Sequence, residues 1–90
     1  MNYIKVKDVA QLKAACIAVE SEDQDYVEGF IAGKFGMKSS KIIAWNKNDN
    51  EFWIRHLIDD SEETVGEDEI MLCTNIGEAI EKGSFYLEVE

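Results

Sequence analysis

The chain has no run of uncharged apolar residues approaching the roughly 18 that a membrane-spanning helix needs, so a helical membrane protein is excluded. Its opening residues, Met1-Asn2-Tyr3-Ile4-Lys5, lack the long apolar stretch of a secretory leader, and the expectation is a protein that stays in the cytoplasm. Cysteine is scarce. Cys16 and Cys73 are the only two, in unlike surroundings and without His or Cys neighbours at ligand spacing, which argues against a disulfide framework and against zinc. Both are expected to be reduced thiols, Cys16 in the core. Basic residues are also few: 9 Lys and Arg against 19 Asp and Glu leave a net charge of −10. Nucleic acid and anionic membranes reward Lys and Arg, so direct binding to either is disfavoured, and a protein with a basic surface is the better partner. Solubility alone also rewards excess acid. Proline, internal repeats and low-complexity tracts are absent altogether.

What is present suffices for one folded domain. A chain of 90 residues buries only about 60–65% of its unfolded surface and sustains a single core, here residues 1–90. Tyr3–Val6 alternate as a short strand, and Asp8 can cap a helix whose Val9, Leu12, Cys16 and Val19 share one face. Residues 26–32 fit helical spacing too, but β-branched and aromatic side chains around Gly29 favour a strand. Gly33 and Gly36 then punctuate a loop reaching Ser40. The strongest β signal is a hairpin of residues 41–45 and 52–58 about the polar turn 46–50. A turn centred on Asn48-Asp49 pairs Trp45 with Phe52 and Ile43 with Ile54 on one face, and puts Ala44, Trp53, Arg55 and Leu57 on the other. Thr64 and Glu67 fit a capping box for a short helix through Ile70–Leu72. Thr74 can cap a second helix ending at Gly83, and Phe85, Leu87 and Val89 alternate as a final strand. The order β-α-β-β-β-α-α-β implies an α+β fold of two layers: a mainly antiparallel sheet of about five strands with helices on one face.

Three stretches, Lys38-Ser39-Ser40-Lys41, Ile58-Asp59-Asp60-Ser61-Glu62-Glu63 and Thr74-Asn75-Ile76-Gly77-Glu78-Ala79-Ile80 with Gly83, resemble a loosely defined set of small bacterial and phage-type proteins. The resemblance covers the C-terminal half to two-thirds of the chain. It implies a bacterial or mobile-element setting and brings no activity, ligand or catalytic residue.

No motif announces catalysis, a metal or a cofactor. His56, Asp59, Asp60 and Ser61 are the residue types of a hydrolytic triad, but neighbours on one strand and its exit rarely converge, and His56 reads as a packed or rim histidine. Counting a calcium loop from Asp59 puts Thr64 where Gly is needed and Ile70 where a bidentate Glu is needed, so that pattern fails. Lys34, Lys38, Ser39, Ser40 and Lys41 are the ingredients of an anion-binding loop without phosphate-loop spacing. Seven acids and no base fall in residues 59–69, namely Asp59, Asp60, Glu62, Glu63, Glu67, Asp68 and Glu69. With Trp53, Arg55 and Leu57 they form the candidate partner surface. The leading expectation is a non-enzymatic interaction protein that binds a macromolecule or itself. The alternatives are a phage-type inhibitor imitating nucleic-acid phosphates with Glu20, Glu22, Asp23, Asp25 and the 59–69 acids, and a small anion-binding domain using the Gly33–Ser40 loop. Acids gathered on one face would favour mimicry, and dispersed acids would not.

Overall fold

The computed structural model describes residues 2–22 and 24–89. Its elements are β1 (Asn2–Lys5), α1 (Val9–Glu20), β2 (Val27–Gly33), β3 (Gly36–Asn46), β4 (Glu51–His56), β5 (Ser61–Gly66), α2 (Ile70–Cys73), α3 (Asn75–Glu81) and β6 (Phe85–Val89). The strands form one six-stranded sheet in the order β1-β6-β2-β3-β4-β5, with every neighbouring pair antiparallel. Leu12 and Cys16 of α1, Ile70 of α2, and Ile76, Ala79 and Ile80 of α3 join one core with Ile43, Phe52, Ile54, Phe85 and Leu87 of the sheet. The helices therefore cover one face, and the other is open. This is the expected two-layer α+β architecture, with six strands instead of about five.

Local chemistry accounts for most of the element ends. The Asp8 carboxylate accepts from Gln11 N–H at 2.8 Å, and the Gln11 side chain accepts in return from Lys7 N–H at 2.7 Å, so the first orphan donors of α1 are met from both sides. Thr74 caps α3 by accepting from Gly77 N–H at 3.1 Å, and Gly83, at φ 71°, lies just beyond its last residue. Gly77 is required by proximity: a Cβ there would lie 2.4 Å from both the Ile70 carbonyl oxygen and Met71 Cα. The β3–β4 register is the expected one, Trp45 opposite Phe52 and Ile43 opposite Ile54. Two turns of four residues, 47–50 and 57–60, join β3 to β4 and β4 to β5. Each ends in the left-handed region, at Asn50 (φ 54°) and Asp60 (φ 60°), residue types that tolerate that conformation.

The structure corrects the sequence reading at four places. Thr64 does not cap a helix: residues 61–66 are strand β5, the one beyond the expected five, in which Val65 packs opposite Phe52 and Glu62 lies opposite Arg55, and Glu69 precedes α2 without a side-chain cap bond. Cross-strand partners outweigh the low strand preference of the acids. The segment 33–40 is not a loop. It is the β2–β3 hairpin, turning at Lys34-Phe35 and bulged where Ser39 (φ 58°) and Ser40 stand opposite Phe30. Leu57 and Ile58 leave the strand for the second turn and are exposed. Val9, on the same helix face as Leu12 and Cys16, packs against the core but is only partly buried, whereas Leu12, Cys16, Ile43, Ile54, Ile76, Ile80, Phe85 and Leu87 are buried.

Candidate functional site

A concavity lies on the helix-covered face, where the second half of α1 passes over the ends of β1, β6 and β2. Ala15 and Ala18 are too small to fill the space between helix and sheet. What remains is a groove of about 1140 Å³ floored by Ile4, Ala15, Ala18, Val19, Val27 and Leu87. Ile4 on the edge strand is still 40% exposed, so part of this apolar floor faces solvent. Glu22 and Asp25 line it from the end of α1 and the segment that follows, whereas Glu28 and Glu88, which alternate with buried Val27 and Leu87, turn to the open face at its edge; no Lys or Arg is among the lining residues. Among the described residues, none of these four has a basic side chain within ion-pair distance.

The two acids that turn to the open face press on one another. Glu28 on β2 and Glu88 on β6 lie one step beyond the Gly29–Leu87 pair. A carboxyl–carboxyl hydrogen bond to Glu88 is the main cause that raises Glu28 above the ordinary carboxylate range, with partial burial and the Glu88 charge adding to it.

The acids of residues 59–69 are not one patch. Strand alternation sends Glu62 to the open face and Glu63 to the helix face. On the open face, Glu62 accepts from Trp53 Nε1–H at 2.9 Å and lies 3.7 Å from Arg55, whose Nε is 3.5 Å from Asp60. That Arg55 Nε–H is buried and makes no hydrogen bond. Elsewhere Glu67 pairs with Lys13 of α1 at 3.1 Å, and Asp59 accepts from both the backbone and the hydroxyl of Ser61, which lowers its pKa. Asp68 and Glu69 are exposed before α2. Trp53 and Arg55 share the open face as expected, while Leu57 lies in the turn beyond it. Of the acids proposed for mimicry, Glu22 and Asp25 line the groove, Glu20 ends α1, and Asp23 lies outside the described residues.

The five residues of the proposed anion loop are separated. Lys34 and Lys38 stand at the hairpin tip with their ammonium groups 5.9 and 5.0 Å from the Phe35 ring centroid. Ser39 and Ser40 form the bulge. Lys41 points under the helices and is only 4% exposed. There its ammonium donates to His56 Nδ1 at 2.8 Å, which leaves the Nε2–H to donate to Glu63 at 2.6 Å. An ammonium has no acceptor, and this fixes the direction of the relay. Burial lowers the Lys41 pKa, while Glu63 and Asp59 oppose that shift. The relay lines a shallow recess of about 410 Å³ with Ser39, Asp59, Ser61, Cys73 and Asn75. Its acids offset its bases, so the recess has no net attraction for an anion. Among the described residues, no three His, Cys, Asp or Glu side chains converge as metal ligands, and no helix is long and apolar enough to cross a membrane.

The Lys41–His56–Glu63 relay has no local sequence signal, because strand pairing assembles it from β3, β4 and β5. The groove is equally silent: its floor comes from residues more than 80 positions apart, and the only hint is the pair of alanines on α1. Comparison with protein-family models, with curated proteins and with solved structures finds no match to this chain.

Proposed function

We propose that this chain is a non-enzymatic interaction protein that receives a basic, partly apolar polypeptide segment in the groove between α1 and the ends of β1, β6 and β2. The observation that carries this reading is the lining itself, an apolar floor bordered by Glu22 and Asp25 with no base among the lining residues. Its 1140 Å³ exceeds the roughly 300–1,000 Å³ of small-molecule pockets and suits several side chains of a polypeptide. Dispersal of the 59–69 acids over both faces weighs against mimicry of a regular row of phosphates.

A nuclear magnetic resonance titration of the isotope-labelled chain with a synthetic peptide of alternating lysine and leucine tests this. The expected shifts gather at Ala15, Ala18, Val19, Val27 and Leu87. Affinity should fall as salt shortens the Debye length from ~10 Å at 0.1 M to ~3 Å at 1 M. Shifts confined to the 59–69 acids, or to the Trp53 face, would refute the groove as the site.

A further inference from the structure

We infer that the groove is filled by the β2–β3 hairpin tip of a second copy of this chain, so that the protein assembles with itself. The inference rests on the groove reading above and names its occupant. Two observations on different parts of the molecule carry it.

The first is the tip. Phe35 is 80% exposed, with Lys34 and Lys38 flanking its ring. Met37 is exposed beside it. No acid occurs between Glu28 and Asp49, so this hairpin is the basic end of a chain that is otherwise strongly acidic. An aromatic ring held out between two ammonium groups is a poor solution for solvent and a suitable one for an acid-rimmed apolar recess.

The second is the groove, which is the complement of the tip in both respects: apolar floor against Phe35 and Met37, and the exposed acids Glu22 and Asp25 against Lys34 and Lys38. Groove and tip lie at opposite ends of β2, seven residues or about 23 Å apart. A tip therefore cannot reach the groove of its own chain, and the contact joins unlike surfaces of two copies. A reciprocal pair and an open head-to-tail series both satisfy it. Overall charge repulsion opposes assembly at low salt while the local contact favours it, so the salt response does not isolate the contact. Charge reversal does.

The experiment uses sedimentation velocity on three forms: the natural chain, the tip variant Lys34→Glu/Lys38→Glu, and the groove variant Glu22→Lys/Asp25→Lys. All four positions are exposed, and a circular-dichroism melt confirms that each variant folds. The natural chain should sediment above monomer mass with rising concentration, and each variant alone should remain monomeric. An equimolar mixture of the two variants should regain assembly, because the acidic tip of one meets the basic groove of the other and the natural tip meets the natural groove. Phe35→Ser should abolish assembly without any change of charge. A monomeric natural chain at near-millimolar concentration would overturn the inference, as would variants that assemble alone or fail to restore one another when mixed. Titrating the tip variant with the lysine–leucine peptide separates this from the underlying reading: peptide bound in the groove of a chain that never self-assembles leaves the groove as a receptor for another protein, and no peptide binding removes both.

Discussion

Removing His56 should reveal whether Lys41 is held by it or merely lies beside it. The Lys41 ammonium is buried and, among the described residues, has one hydrogen-bond acceptor, His56 Nδ1. His56→Ala leaves a charged donor under the helices without a partner, which costs about 1–3 kcal/mol for an unsatisfied buried group and more when it is charged. Lys41→Met keeps the length of the side chain and removes the charge, so it should be neutral or stabilise by about 1–4 kcal/mol. His56 and Glu63 stay solvated in that variant, because their side chains are 16% and 40% exposed and water can replace the ammonium. The double variant should then show the His56→Ala cost reduced by about 1–2 kcal/mol. Urea denaturation at constant m-value reads these differences, and for a domain of this size each kcal/mol moves Tm by about 4–8 °C. The pH dependence carries a second signature. Burial lowers Lys41 in the folded chain, so the folded state is disfavoured below that depressed value and the disadvantage fades as pH rises through it toward 10.5. The stability gap between Lys41→Met and the natural chain should therefore narrow in alkali. An equal His56→Ala cost in both backgrounds, with a gap independent of pH, would refute the relay.

Two further outcomes follow from single residues. A thiol-reactive chromophore should modify the exposed Cys73 quickly and Cys16 only on unfolding, because Cys16 is buried and burial, with a smaller effect of Glu20, pushes its thiol up to about 12; two equally fast thiols would contradict its place in the core. Gly77→Ala should destabilise by about 3 kcal/mol or more in a thermal melt, since its Cβ would meet backbone of α2 and only a shift of one helix could relieve the overlap; a loss under 1 kcal/mol would show the two helices to be loosely joined.

Where one residue's chemistry decides a feature, the sequence was readable. Asp8 and Thr74 mark helix starts through their side-chain oxygens, Gly83 marks an end, and the short polar turn sets the β3–β4 register residue by residue. Features that depend on distant pairing were not. The strand Ser61–Gly66 consists largely of residues with weak strand preference and exists because Phe52, Arg55 and their neighbours offer partners. The bulge at Ser39 cannot be seen without the opposite strand, yet it decides that Lys41 turns inward while Lys34 and Lys38 stay at the tip. For that reason a plausible anion loop dissolves into a buried relay and a basic finger. The acid-rimmed groove is least readable of all, because its walls meet only when β1 and β6 pair.

That pairing also governs the route by which the chain can fold. Strands β2 to β5 form a meander whose turns are at most four residues long, so their contacts close quickly and locally. Among the described residues, strand β1 instead pairs with β6 alone, and the loop between their paired residues spans nearly the whole chain. Its entropy of closure must be met last, after β6 has docked on β2 with Phe85 lying across Gly29. The groove therefore matures at the slowest step, and any transient opening that frees β1 dissolves one wall of it while the meander and its basic tip remain intact. Native-state hydrogen exchange would show this as a β1–β6 unit that opens at lower free energy than β3 and β4.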